Sequence, residues 1–227
     1  RNILRLAEAQ RNLADRAAWL NDEIDKATVS LRWREEEIIR RLTNAASFKD
    51  KETGLHTVRM ARYSAALAQE LGQPQEYCRN MQLASPMHDI GKVAIRDAVL
   101  SKAGALTEEE WAEMKTHTEI GGEILADSKC ELLQLAAEIA LTHHERWDGK
   151  GYPRGLSGHD IPLSGRIAAV ADVFDALTTE RPYKQAWTID RAFRYLQEEA
   201  GHQFDPDCVR AFMLCRMVVE NIFVSHT

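Results

Sequence analysis

The chain begins with about 44 residues that contain neither glycine nor proline and that repeat apolar residues every seven positions. One row runs through Ile3, Gln10, Ala17, Ile24, Leu31 and Ile38, and a second row through Leu6, Leu13, Leu20, Ala27, Arg34 and Arg41. Two such rows, spaced three and four residues apart, are typical of a coiled-coil seam. The pattern predicts a long signalling helix over residues 1–44 that pairs with a second copy of the chain. The alternative is an amphipathic helix that folds back on its own domain.

From about residue 45 the sequence predicts a globular domain, residues 45–227, built from helices alone. Gly72 ends one helical stretch, and Pro74 begins the next, which we expect to continue to His88. Thr107 and Glu110 have the spacing of a capping box at a further helix start. No alternation of apolar and polar residues is long enough to propose a strand. The expected fold class is therefore all-α.

Composition narrows the partners and the compartment. No apolar run is long enough to cross a membrane, no signal-peptide pattern is present, and the four scattered cysteines suit a reducing cytoplasm. The net charge of −6 argues against polymeric nucleic acid as a partner, although it allows a small anionic nucleotide. Because the first residue is Arg and not Met, we expect a longer protein with a further N-terminal part.

A dispersed set of imidazoles and carboxylates forms the candidate metal site, and it contains five of the eight histidines. Its members are Glu52, His56, His88, Asp89, His117, His143, His144 and Asp172. Imidazole and carboxylate without thiolate are ligands of iron, manganese or zinc. The set exceeds the needs of one ion, so it predicts a cluster of two or three ions, which typically activates water against phosphate esters.

Single members of this set could have purely structural roles. Asp172 could be a capping acid or a paired acid in the core, although its apolar surroundings in the sequence demand a strong partner. His117 alone could be an ordinary core or surface histidine. The metal interpretation therefore depends on the joint occurrence, as with Glu52 and His56, which are four residues apart and share one face of a helix.

Two motifs resemble the HD-GYP family of bacterial cyclic di-GMP phosphodiesterases, a subgroup of the HD superfamily of metal-dependent phosphohydrolases. The segment His88–Lys92 reads HDIGK, and the segment His143–Pro153 reads HHERWDGKGYP. Further matches lie in residues 50–59, 161–163, 172–178 and 181–184, so the resemblance covers roughly residues 45–222. It implies an HD-domain-like helical bundle.

The resemblance also implies the metal ligands. His56, His88, Asp89, His117, His143, His144 and Asp172 would hold a binuclear centre of iron or manganese, with Asp89 as the bridging ligand. Glu52 matches a position that recruits a third metal in some members, so two or three divalent ions are expected.

The implied substrate is cyclic di-GMP. Lys92 would donate to a phosphate and act in catalysis with Asp89, while Arg181 and Lys184 would grip the phosphates of the dinucleotide. Gly151, Tyr152 and Pro153 would shape the mouth of the site. Two cations would share a hydroxide that attacks phosphorus and releases pGpG, and a second cut to GMP stays open.

Two departures from the family pattern affect a loop near the site. Residues 95–97 read Ile-Arg-Asp where relatives usually have Ile-Pro-Asp, and residues 102–104 read Lys-Ala-Gly in place of Lys-Pro-Gly. These departures concern the rigidity of the loop and the access of substrate to the site, and they leave metal binding unaffected.

The N-terminal helix resembles the linker that joins a receiver domain to such a module in response regulators, which implies a homodimer regulated from upstream. Two alternatives remain. The first is a catalytically weak module that acts through protein contacts, for example at the Gly-Tyr-Pro loop. The second is a hydrolase of another nucleotide or a di-iron oxidase, which Arg181, Lys184 and that loop disfavour.

Overall fold

A computed structural model of the chain describes residues 2–47, 49, 54–180 and 185–225. Within these ranges the secondary structure is helical without any strand, and the one β-type contact is an isolated bridge between Ala200 and Phe204. The predicted all-α fold class is confirmed.

Eleven α-helices follow one another in the described ranges. They are α1 (Asn2–Ser47), α2 (Gly54–Glu70), α3 (Gln75–Ala84), α4 (Asp97–Leu100), α5 (Glu108–Lys115), α6 (His117–Leu125), α7 (Glu131–Thr142), α8 (Leu163–Thr178), α9 (Ile189–Glu198), α10 (Pro206–Leu214) and α11 (Arg216–Ser225). Short 3₁₀ turns lie at Ser85–Met87, Ile90–Ala94 and Gly158–Asp160.

The chain divides into two compact units, Arg1–Leu42 and Thr43–Thr227. The first unit consists of most of α1, so the predicted long N-terminal helix is present. Its seam residues Leu13, Ile24 and Leu31 are each more than half exposed. Pairing of this helix with a second copy, and the functional division at residue 44, stay predictions.

An aromatic core holds the second unit together. The ring of Phe174 on α8 packs against Tyr63 of α2, Phe193 of α9 and Phe212 of α10, with centroid distances of 5.4, 4.9 and 5.1 Å. All four rings are buried. Edge-to-face and tilted contacts of this kind add to the free energy gained by burying the rings. They fix α8 against α2, the two helices that carry Asp172 and His56.

Helices begin and end at or near the residues that the sequence predicts, with one difference. Gly72 has a φ of 73°, the left-handed conformation that ends α2, and Thr107 and Glu110 form both bonds of the capping box. We expected the helix after Pro74 to continue to His88. It ends at Ala84 and passes into a 3₁₀ turn, because the next turn contains a proline, which lacks the N–H that an α-helix requires.

None of the helices in the described ranges is both long and apolar enough to cross a membrane. Cys208 and Cys215 are buried free thiols, and Cys130 is exposed.

Candidate metal centre

Seven of the eight predicted metal ligands converge in the second unit. They form two adjacent clusters, one of Asp89, His117, His143 and His144, and one of His56, His88 and Asp172. Within each cluster the candidate ligand atoms all lie within 4.8 Å of one another. The remaining predicted ligand, Glu52, lies outside the described residues, as do the predicted phosphate-binding residues Arg181 and Lys184.

Asp89 lies between the two clusters. Its Oδ1 is 3.2 Å from Nε2 of His117 and 3.7 Å from Nε2 of His143, while its Oδ2 is 3.1 Å from Nε2 of His88. Nε2 of His88 in turn is 3.9 Å from Oδ1 of Asp172. One carboxylate therefore faces imidazoles of both clusters, which is the arrangement that a bridging ligand requires.

Backbone carbonyls orient three of the imidazoles. In each case Nδ1 lies within hydrogen-bond distance of a carbonyl three or four residues earlier in the chain: His88 to Ser85 (2.9 Å), His117 to Met114 (2.7 Å) and His143 to Ile139 (3.1 Å). A carbonyl oxygen only accepts, so each Nδ1 carries the proton and donates it. Nε2, which faces the cluster, then keeps its lone pair for a cation.

Three buried polar atoms meet at the centre of the first cluster. Among the described residues, Oδ1 of Asp89 and Nε2 of His117 and His143 lack a hydrogen bond. Leaving buried polar atoms unsatisfied costs free energy. A divalent cation would satisfy all three, and their donor types suit iron, manganese or zinc. The residues therefore fit a metal.

The protonation states match this fit. Burial lowers the pKa of His117 to about 4 and also lowers the pKa of His144, so both rings are neutral at pH 7, as metal binding requires. Burial opposes ionisation of Asp89, but the charge of Lys92, together with the neighbouring imidazoles, outweighs it and holds the pKa of that carboxyl well below its usual range. The Lys92 ammonium lies 2.7 Å from Oδ2 of Asp89.

Asp175 supports the second cluster and was not among the predicted site residues. Its buried carboxylate accepts from Nδ1 of His56 at 2.7 Å and from the guanidinium of Arg59 at 2.6 and 2.9 Å. Burial opposes ionisation of Asp175, but these hydrogen bonds outweigh it and lower the pKa of the carboxyl. The sequence contains one indication of this role. Asp175 follows Asp172 by three residues on α8, and Arg59 follows His56 by three residues on α2, so each of them lies on the same helix face as a candidate ligand.

The Gly-Tyr-Pro loop lies directly beside the first cluster. A Cβ added to Gly151 would lie 2.4 Å from the amide nitrogen of Arg146 and 2.6 Å from the carbonyl oxygen of His144, so only glycine permits this approach. The buried carboxylate of Glu145, also absent from the predicted site, accepts from the amides of Arg154 and Leu156 at 2.8 and 3.0 Å and anchors the loop.

A cleft of about 330 Å³ opens at this loop. Its walls include the candidate ligands His143 and His144, the ring of Tyr152, and Trp111 and Lys115 of α5. The candidate metal centre is thus open to a small molecule from one side.

Comparison with known proteins agrees with this geometry. The family model described as HD domain matches residues 40–208. The chain belongs to the HD domain family. Members of this family use divalent metals, and the two His/Asp clusters are the candidate site for them in this HD domain.

Two curated relatives are close in sequence. The cyclic di-GMP phosphodiesterase response regulator RpfG of Xanthomonas campestris pv. campestris is 44% identical over 97% of this chain and 58% of its own length. The 3′3′-cGAMP-specific phosphodiesterase 2 of Vibrio cholerae is 47% identical over 82% of this chain and 35% of its own length. The chain thus spans between about a third and three fifths of these relatives. The predicted membership of the HD-GYP family is confirmed.

The fold of the HD domain also agrees with a solved structure. A crystal structure of a cyclic GMP-AMP specific phosphodiesterase of V. cholerae (V-cGAP3) superposes with a TM-score of 0.59. The match covers 82% of this chain and 49% of that chain at 20% identity, so it confirms the predicted HD-domain-like fold.

Proposed function

We propose that this HD domain hydrolyses cyclic di-GMP, and that it uses two or three divalent cations, iron or manganese, bound at the two clusters. The observation that carries the proposal is the set of buried, unsatisfied donor atoms on Asp89, His117 and His143 within the described part of the chain. Identity of 44% to a named cyclic di-GMP phosphodiesterase over nearly the whole chain supports the choice of substrate. The first product is pGpG.

The residues of the two clusters bind and orient. Neutral imidazoles would supply Nε2 lone pairs to the cations, and Asp89, which faces imidazoles of both clusters, would contribute to both metal positions. Bound cations would supply a nucleophilic water near neutral pH. Lys92, beside Asp89, would donate to a non-bridging phosphate oxygen as its charge grows in the transition state.

The remaining predicted roles belong to the same proposal. Glu52 would recruit a third cation. Arg181 and Lys184 would bind the phosphates of the dinucleotide, and Gly151, Tyr152 and Pro153 would shape the mouth of the site. The contact of the Tyr152 ring with His144, at a centroid distance of 4.7 Å, supports that position for the loop.

A hydrolysis assay tests the proposal. Protein purified without oxygen and loaded with Fe(II) or Mn(II) is incubated with cyclic di-GMP, and the products are separated by chromatography while the bound metal is quantified. We expect pGpG from the wild type and loss of product after His88→Ala/Asp89→Ala. The matched control is His159→Ala, an exposed histidine outside both clusters. Equal measurable rates for the double variant and the wild type would reject hydrolysis at the metal clusters, and a metal-loaded wild type without activity would favour a module that acts through protein contacts.

A second candidate substrate is 3′3′-cyclic GMP-AMP. The 47% identity to a phosphodiesterase named as specific for that molecule favours it. The ratio of kcat/KM for the two dinucleotides, measured on one preparation, decides between them.

The N-terminal helix would regulate this activity. We propose that residues 1–44 pair with a second copy in the cytoplasm and transmit the state of an upstream receiver domain to the phosphodiesterase domain, residues 45–227. The heptad rows and the exposure of Leu13, Ile24 and Leu31 support the pairing.

A further inference from the structure

One face of α5 borders the cleft but takes no part in either metal cluster. Trp111 and Lys115 are four residues apart on this helix, so their side chains lie on the same face, and both line the cleft together with His143 and His144. Neither residue has a role in the proposed hydrolysis so far.

A row of three aromatic rings extends from the first cluster to the rim of this cleft. The ring of His144 packs on Tyr152 at 4.7 Å, and the ring of Tyr152 meets the indole of Trp111 at 6.1 Å and an angle of 77°. The edge-on contact leaves much of the indole uncovered, and Trp111 is 46% exposed. An uncovered indole at the rim of a cleft is suited to stack with a purine base.

The positively charged side chains around the cleft differ in whether an acidic side chain lies next to them. Arg146 pairs with Asp148 at 3.0 Å and lies 3.7 Å from Glu199, and Lys150 lies 3.8 Å from Asp148. Among the residues that the structure describes, no acidic side chain lies within ion-pair distance of Lys115. Its charge is therefore available to an anionic ligand in the cleft.

Side-chain contacts hold α5 in place beside the cleft. The guanidinium of Arg96 binds both carboxylate oxygens of Glu113, and Lys102 binds Glu110, which also closes the capping box at the start of the helix. Arg96 occupies one of the positions where this chain departs from the family pattern. The ion pair between Arg96 and Glu113 thus holds the start of α4 against α5.

We propose that Trp111 and Lys115 form a substrate-binding wall of the cleft, in which the indole stacks on one purine base and the ammonium neutralises a phosphate of the same cyclic dinucleotide. This inference rests on the proposed function and deepens it. Both residues hold the part of the substrate that does not react, so they determine its affinity and leave the chemical step to the metal clusters.

Steady-state kinetics on the metal-loaded protein tests the wall. The variants are Trp111→Ala, Trp111→Phe, Lys115→Met and Lys115→Arg, and the matched controls are Trp33→Ala and Lys129→Met, both exposed and outside the cleft. The substrates are cyclic di-GMP, 3′3′-cyclic GMP-AMP and bis(p-nitrophenyl) phosphate, a diester without a purine. Intrinsic fluorescence is recorded as cyclic di-GMP is added.

We expect Trp111→Ala to raise KM for both dinucleotides by about tenfold or more, with kcat changed by less than about twofold. Trp111→Phe, which keeps a ring, restores most of the affinity but abolishes the fluorescence quenching caused by the base. Lys115→Met raises KM about tenfold and weakens the dependence of KM on salt. Lys115→Arg, which keeps the charge, retains the KM of the wild type and its salt dependence. Hydrolysis of bis(p-nitrophenyl) phosphate stays at the wild-type rate in every variant, which shows that the fold and the metal centre are intact.

The outcomes separate this inference from the proposed function. If the wild type cleaves a cyclic dinucleotide while Trp111→Ala and Lys115→Met leave KM and quenching unchanged, the wall is rejected and the function stands. If the wild type cleaves neither dinucleotide, the proposed function and the wall fail together. Equal losses on the dinucleotides and on the small diester would also reject the wall, since a binding role spares the small diester.

Discussion

Oδ2 of Asp175 lies 2.7 Å from Nδ1 of His56, across the contact between α8 and α2. The hydrogen bond fixes the proton on Nδ1, so Nε2 of His56 faces the second metal cluster as an acceptor. The same carboxylate binds the buried guanidinium of Arg59. Asp175 therefore couples the packing of two helices to the orientation of a candidate metal ligand.

Replacement of this carboxylate tests that coupling. We expect Asp175→Asn to lower metal affinity by about 10- to 100-fold and to lower the free energy of unfolding by about 3 kcal/mol, because Arg59 loses its buried counter-charge. Metal titration and chemical denaturation measure the two effects. Asp207→Asn, at an exposed position, is the control. Wild-type metal affinity in Asp175→Asn would show that His56 needs no such orientation.

Removal of the metals should lower thermal stability. Ligands that bind only the folded state stabilise it by about 2.7 kcal/mol at a hundredfold excess over Kd. For a domain of this size we expect chelation to lower Tm by about 5–10 °C. Scanning calorimetry with and without EDTA measures the shift, and His143→Ala, which lacks one candidate ligand, should show a smaller one. Identical curves for the wild type would contradict a resident metal.

The metal-free protein should also lose stability in mild acid. Burial lowers the pKa of His117 from 6.5 to about 4, so the folded state resists protonation that the unfolded state accepts. The contribution of His117 is complete above about pH 6.5 and is lost as the pH falls towards 4, which amounts to about 3 kcal/mol. Denaturation of EDTA-treated protein across this range measures the loss. His117→Gln should flatten the curve, and parallel curves for variant and wild type would contradict the assignment.

Gly151 should tolerate no side chain. An added Cβ would overlap the backbone of Arg146 and His144, so Gly151→Ala must displace the loop or the ligand next to it. We expect kcat to fall by about tenfold or more, since small displacements of reacting groups are costly. Gly104→Ala is the matched control, because no atom of the described residues lies within 4 Å of its Cβ position. Equal rates for the two variants would show that the close approach is unimportant for activity.

Two charges in the seam of α1 should abolish pairing. Leu13 and Leu20 belong to the second apolar row and are exposed, so Leu13→Glu/Leu20→Glu places like charges where two helices would meet. We expect a dimeric wild type and a monomeric variant in mass measurements by light scattering. Val29→Glu, exposed but outside both rows, should remain dimeric. A dimer that survives the double substitution would reject the coiled coil.

Local signals account for the parts of the fold that the sequence predicts well. Helix periodicity, the glycine at position 72 and the capping box of Thr107 and Glu110 act within a few residues, and each is present as expected. The helix after Pro74 was predicted too long for a reason that is also local. Its apolar period continues to Met87, but the proline in the turn before His88 removes a backbone donor, and that constraint outweighs the period.

The identities of the candidate ligands also follow from the sequence, because donor chemistry depends on residue type alone. The grouping of these ligands into two clusters does not follow from the sequence. His56 and Asp175 are 119 positions apart in the chain, and the assignment of His88 to the cluster of Asp172 depends on how whole helices pack. The role of Glu145 as the loop anchor was likewise decided by tertiary structure. Aromatic packing around Phe174 fixes the helices, and only their final positions determine which lone pairs meet at one point.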